Sequence, residues 1–228
     1  MASSGLNIFF DGNNLSRILG GMWLAAKISV VSLVIGLLLG VLFGILRTSN
    51  SRVIKLIFKI YLEIFRMMPL LVLLFVFYYI LPEALNSDIS QFTVSVLVFV
   101  LWISSEMSDI VRSALISIPK AQIDAGRALG LSKRQQYRYI YFPQGLPLVI
   151  PATLNLVTRV IKTTSILLII GVPEMIKVGQ QVIENYTIKI PTASLWVYGF
   201  IFFLYFILCW PLSVLAKRLE RKSRTRVF

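Results

Sequence analysis

The chain has 228 residues, 57% of them hydrophobic and 14% charged, with a mean hydropathy of +0.81; a soluble domain carries about 25% charged residues, so this composition excludes an ordinary soluble enzyme and intrinsic disorder alike. The net charge of +13 does not point to nucleic acid, because the basic residues cluster between apolar runs, as they do in the cytoplasmic loops of membrane proteins. With no histidine and a single cysteine, Cys209 inside an apolar run, the chain can form no internal disulfide, no His/Cys metal site and no His-dependent catalytic triad.

A bilayer-spanning helix needs about 20 mostly apolar residues. Hydropathy predicts five, over about 22–46, 54–81, 92–115, 145–172 and 193–216, in one all-α membrane domain covering 1–228. The N-terminus lacks the basic segment of a cleaved signal, so the first span is expected to stay in the membrane. That span carries Ser32, Gly36, Gly40 and Gly44 at four-residue spacing, a groove of small side chains that lets another helix approach closely, within the subunit or at a dimer.

Each of the next three spans carries, at membrane depth, a pair of ionisable residues three positions apart, which places both on one helix face. The second span has Glu63 and Arg66, expected to pair with each other; Arg66 can also reach a helix end opened by Pro69. The third has Glu106 and Asp109, and the fourth has Arg159 and Lys162, like-charged couples that would balance by pairing across helices, while Asp109 can also bond Arg112. The outer segment 173–192 mixes charged and apolar residues and is expected to form an interfacial helix or gate cap.

Orientation follows from the distribution of Lys and Arg. One side holds Arg47, Arg52, Lys55 and Lys59, then Arg112, Lys120, Arg127, Lys133, Arg134 and Arg138, and finally the basic tail from Lys217 through Arg224 and Arg226. The other side holds only Arg17, Lys177 and Lys189. The N-terminus is therefore expected outside and the C-terminus in the cytoplasm.

The loop at about 118–143 is too polar to span, yet it is organised. Pro119 can open a helix, Ala121, Ala125, Ala128 and Leu129 share a face, Gly130 tolerates a left-handed turn and Ser132 can cap a following basic helix reaching Pro143. A short helix with a small-residue face suits docking in a partner's groove. A helix lying on lipid headgroups fits the same pattern.

This stretch resembles the EAA loop of ABC-importer permeases, E-A-A, three residues, Gly, nine residues, I-x-L-P. Here it reads Asp124-Ala125-Gly126, three residues, Gly130, nine residues, Ile140-Tyr141-Phe142-Pro143, departing by Asp for Glu, Gly for the second Ala and Phe for Leu. The second glycine weakens the helix by about 1 kcal/mol relative to alanine. Phe65-Arg66-Met67-Met68-Pro69-Leu70 resembles the F-R-G-T-P-L segment of the polar amino acid branch, and Asp109-Ile110-Val111-Arg112 its E-I-V-R segment. Ser117-Ile118-Pro119-Lys120, Arg127-Ala128-Leu129-Gly130-Leu131-Ser132 and Lys162-Thr163-Thr164-Ser165 follow in family order, so the resemblance covers nearly the whole chain.

The resemblance implies a type I ABC-importer permease subunit for polar amino acids in a prokaryotic plasma membrane. Its implied partners are a second permease chain (the same or homologous), a cytoplasmic ABC ATPase dimer, an extracytoplasmic amino-acid-binding protein and the lipid bilayer. The chain lacks a G-x-x-x-x-G-K-[ST] phosphate loop, so ATP and Mg would be held by the ATPase, with no cofactor or metal in this chain. Lys120, Asp124, Ala125, Gly126, Arg127, Gly130, Leu131, Ile140 and Pro143 would then couple ATPase closure to the helices. The substrate-pathway candidates are Glu106, Asp109, Arg66, Arg159, Lys162, Thr163, Thr164 and Ser165, an acid facing a zwitterion's ammonium and a base its carboxylate. Glu106 is favoured as the acid, being deeper than Asp109; residues 162–165 could equally serve gating or packing. The alternative function is a secondary transporter or channel for small polar solutes, which would need ion-coupling or filter residues of its own.

Overall fold

A computed structural model describes residues 5–49 and 51–227, with side chains through Lys222. The side chains of Arg224 and Arg226, used in the orientation argument, lie outside the described residues. No strand occurs among the described residues. The helices are α1 (Asn7–Phe10), α2 (Asn14–Leu46), α3 (Arg52–Met67), α4 (Leu70–Leu85), α5 (Gln91–Ile116), α6 (Lys120–Ala128), α7 (Lys133–Ile170), α8 (Met175–Tyr186) and α9 (Ala193–Val227). Among these, α2, α5, α7 and α9 are each long and apolar enough to cross a bilayer, and α3 with α4 would make a fifth crossing if the bent pair is one span.

The second expected span is not a straight rod. The chain turns through 100° between α3 and α4, and the cause is local. Pro69 disfavours helical backbone at the residue before it, and Met68 is extended at φ −74°, ψ 138°. Pro143 presents the opposite case. Instead of closing a loop helix, it lies inside the continuous α7. The wide turn over Tyr137–Tyr141 just before it loosens the backbone ladder where proline cannot donate.

The described residues form two compact units. The first comprises residues up to Ser32, Leu71–Phe99 and Arg159–Trp210. Its apolar core joins Ile8 and Ile18 to Met175, Val178 and Val182 of α8 and to Val197, Ile201 and Leu204 of α9. The outer segment thus supplies a packed helix, whose Gly179 admits the side chains of Ile201 and Val197. Glu174 caps this helix by accepting the Lys177 backbone N–H at 2.9 Å. It is fully buried, and burial pushes its carboxyl pKa up against the opposing pull of the Ile176 and Lys177 amides and the Tyr205 hydroxyl.

The second unit comprises Leu33–Leu70, Val100–Thr158 and the segment from Pro211 onward. Here α2 lies against α5 through its glycines. A Cβ at Gly36 would sit 2.8 Å from Ile103 Cβ, one at Gly44 would sit 2.6 Å from Val111 Cβ, and one at Gly40 would run into the Met107 side chain. Such distances are below any carbon–carbon contact, so α2 reaches this closeness only with hydrogen in those positions. Ser32, one turn earlier and still within the first unit, is fully buried and its hydroxyl has no hydrogen-bond partner among the described residues.

Candidate functional site

The loop after α5 folds as a helix, a reversal and a second helix. Pro119 precedes α6 as its N-cap (φ −57°, ψ 130°), one position earlier than first-turn proline usage would place it. At the other end the Gly130 N–H bonds the Arg127 carbonyl at 2.9 Å, and the Leu131 N–H bonds the Gly126 carbonyl at 3.0 Å. This paired closure requires a left-handed residue, and Gly130 supplies it at φ +75°. Ser132 then caps α7 reciprocally with Gln135, accepting its N–H at 3.3 Å while Gln135 Oε1 accepts the Ser132 N–H at 2.8 Å.

Within α6 the two sides differ. Gly126 is buried, and a Cβ there would lie 2.6 Å from Ile140 Cδ1. The glycine that departs from the E-A-A pattern therefore admits the isoleucine of the motif's far end, and its helix-weakening is offset by a tighter hairpin. Ala121, Asp124, Ala125, Arg127 and Ala128 are exposed, and Leu129 is 81% exposed. An apolar side chain that open, among small neighbours on a capped and rigid turn, forms a surface suited to a partner.

The charged residues of α3 and α5 assemble differently from the expected pairing. Arg66 does not bind Glu63 in an i,i+3 pair: its Nε lies 3.5 Å from Glu106 Oε1 and its Nη1 3.1 Å from Asp109 Oδ2. Glu63 instead faces Lys59 at 3.8 Å with both side chains well exposed. The cause is the face on which Arg66 sits, which the helix turns toward α5, where two carboxylates one turn apart need a cation. A single planar guanidinium can serve both.

Arg47 completes the group, with Nη2 3.3 Å from Asp109 Oδ1 and Nη1 3.0 Å from Ser108 Oγ. Counting it as a loop charge overlooked this role. The available clue was its place three residues past Gly44, on the seam that faces α5. Tyr61 was also missed: its hydroxyl donates to the Leu101 carbonyl at 2.7 Å and lies 2.7 Å from Ser104 Oγ.

Arg159 and Lys162 belong to the first unit and are exposed. The hydroxyls that follow them turn back on their own helix. Thr163 donates to the Arg159 carbonyl at 2.8 Å, Thr164 to Ile161 at 2.7 Å and Ser165 to Lys162 at 2.9 Å. Their donor capacity is therefore spent locally, although each oxygen can still accept. Among the described residues no cluster of His, Cys, Asp and Glu could hold a metal ion.

A family model described as "Binding-protein-dependent transport system inner membrane component" matches residues 32–225. The glutamine transport system permease protein GlnP of Escherichia coli K12 is 31% identical over 91% of this chain and 93% of its own length. The L-cystine transport system permease protein TcyB of Bacillus subtilis is 29% identical, covering 89% of this chain and 85% of its own. The glutamate transport system permease protein GluD of Corynebacterium glutamicum is 31% identical over 91% of this chain and 75% of its own. The fold matches one chain of a crystallised amino acid ABC transporter with a TM-score of 0.83 at 23% identity, over 97% of this chain and 100% of that one.

The chain belongs to the binding-protein-dependent transport system inner membrane component family. It is a multi-pass permease subunit of the ABC type, without an ATPase of its own.

Proposed function

We propose that the permease carries polar amino acids into the cell, as one of two permease chains above a cytoplasmic ABC ATPase dimer that holds ATP and Mg. An extracytoplasmic binding protein delivers the substrate. The chain acts as a single transmembrane domain with its N-terminus outside and its C-terminus in the cytoplasm, an orientation supported by the basic loops. The observation that carries the reading is the capped turn at Gly130 beside the exposed Ala125 and Leu129, in the register of the coupling motif. Docked in the ATPase, α6 passes nucleotide-driven closure to α5 and α7 as rigid motion, because packed interfaces switch between discrete arrangements rather than deforming smoothly.

The amino acid class rests on the substrates for which the relatives are named, glutamine, cystine and glutamate, and on an acid within the second unit's charged group. Glu106, 16% exposed beside Arg66, exchanges that guanidinium for a substrate ammonium. Uptake into vesicles containing the whole transporter, screened over the twenty amino acids and cystine, tests both parts. Glu106→Gln is expected to raise the KM of the preferred amino acid by about tenfold, the worth of roughly one charged hydrogen bond. Unchanged KM and selectivity would remove Glu106 from the pathway, and absence of ATP-driven uptake of any amino acid would remove the substrate class.

A further inference from the structure

A cavity of about 720 Å³ opens beside the coupling turn, entirely within the second unit, bordered by the ends of α2 and α5 and by the starts of α6 and α7. Its cations are Lys120, Arg127 and Lys133. Hydroxyls come from Ser49, Ser51 and Tyr137, among others, and no carboxylate occurs among the described lining residues. The nearby Asp124 engages Arg127 at 3.1 Å, but both side chains are about two-thirds exposed, where such a pair is worth little. Ser51 and Ser132 already cap their own helices, so the side-chain cations, rather than free backbone donors, make the cavity attractive to an anion.

Apart from Gln136, whose amide donates to the Leu131 carbonyl at 3.0 Å, the remaining wall is apolar. Ile45, Leu115 and Ile118 line it, and Ile118 is buried. A basic, hydroxyl-bearing mouth over an apolar wall at the ends of membrane helices matches the two parts of an anionic lipid, whereas a free anion would have no use for the wall. Spacing also separates this site from the docking surface: Lys120, Ile123 and Arg127 fall on one face of α6, while Ala121, Ala125 and Ala128 fall on another.

From this we infer that the cavity binds the phosphate headgroup of an anionic phospholipid, with part of an acyl chain against Ile45 and Leu115. The bound lipid ties α6 to the ends of α2 and α5, beside the small-residue face that α6 offers to the ATPase. The inference rests on the permease reading only in placing this face at the cytoplasmic leaflet. Lipid retention is read without transport, so a chain that carried no amino acid would still hold the lipid, and the two readings fail separately.

The test is native mass spectrometry of the whole transporter, purified in detergent and equilibrated with mixed phosphatidylglycerol and phosphatidylcholine. The wild type is expected to retain phosphatidylglycerol selectively. Lys133→Gln should lower that selectivity by about fivefold, the worth of one cation near a headgroup, and Lys133→Arg should restore it. Lys217→Gln, on α9 outside the cavity, serves as the control for general surface charge. Equal retention of the two lipids, or the same loss from Lys133→Gln and Lys217→Gln, would overturn the site. Complete displacement by excess inorganic phosphate would overturn the lipid assignment in favour of a free anion.

Discussion

Gly40→Val is expected to abolish accumulation of the folded permease. Even the first carbon of the new side chain would run into Met107, with the Ser104 carbonyl of the same helix 3.0 Å away. Relief would require α2 and α5 to separate along a seam that also includes Gly36 and Gly44, and overpacking of this kind costs about 1–3 kcal/mol or more. Gly40→Ala should lower the unfolding temperature of the detergent-purified protein, by less than valine does. Because the nearest collision is with the Met107 side chain, Gly40→Ala should cost less on a Met107→Gly background than in the wild type, a coupling that distant sites would not show, even though Met107→Gly is itself destabilising. Gly20, with nothing within 4 Å of an added Cβ, should accept alanine without such a loss.

Arg66→Met carries the second large effect. It removes the cation between Glu106 and Asp109, two carboxylates one helical turn apart, and leaves Arg47 beside Asp109. Breaking a fully buried pair costs about 3–5 kcal/mol. Here the side chains are 37%, 16% and 33% exposed, so about 1–3 kcal/mol is expected after solvent screening. Adding Glu106→Gln to Arg66→Met should return part of that stability, since a carboxylate that has lost its Arg66 cation then disappears. Arg66→Lys should recover less than its charge suggests, because an ammonium cannot span two carboxylates as a planar fork does. Thermal unfolding of the purified single and double variants measures the coupling. Additive effects would mean that the 3.5 Å approach to Glu106 contributes nothing to stability.

How much of this could be read from the residues depended on the length scale of each signal. The glycine groove was legible because four-residue spacing puts small side chains on one helix face whatever that face meets, and the meeting partner turned out to be Ile103, Met107 and Val111 of the same chain. The coupling turn was legible because caps and left-handed glycines act within a few residues, as Gly130 and Ser132 do. Arg66 misled because spacing ranks partners along one helix, whereas its carboxylates stand on another. The break at Met68 escaped hydropathy, which measures how apolar a run is and not where its backbone points. Pro69 was the available sign. Gly126 shows a third kind of limit: as an exception within a family pattern it looked only weakening, and its fit against Ile140 appears once the hairpin is folded.

The account depends most on α6 docking with an ATPase, and cysteine cross-linking examines that contact directly. Leu129, 81% exposed at the end of α6, can be replaced by cysteine, while the native Cys209 is only 5% exposed and offers little competing reactivity. In membranes containing the whole transporter, a maleimide–diazirine photocross-linker attached to Leu129→Cys is expected to join it to a protein that mass spectrometry identifies as an ABC ATPase, in a yield that changes when ATP is supplied. A cysteine at that position that reacts freely with a soluble maleimide, yet never yields an ATPase adduct with or without nucleotide, would contradict the account.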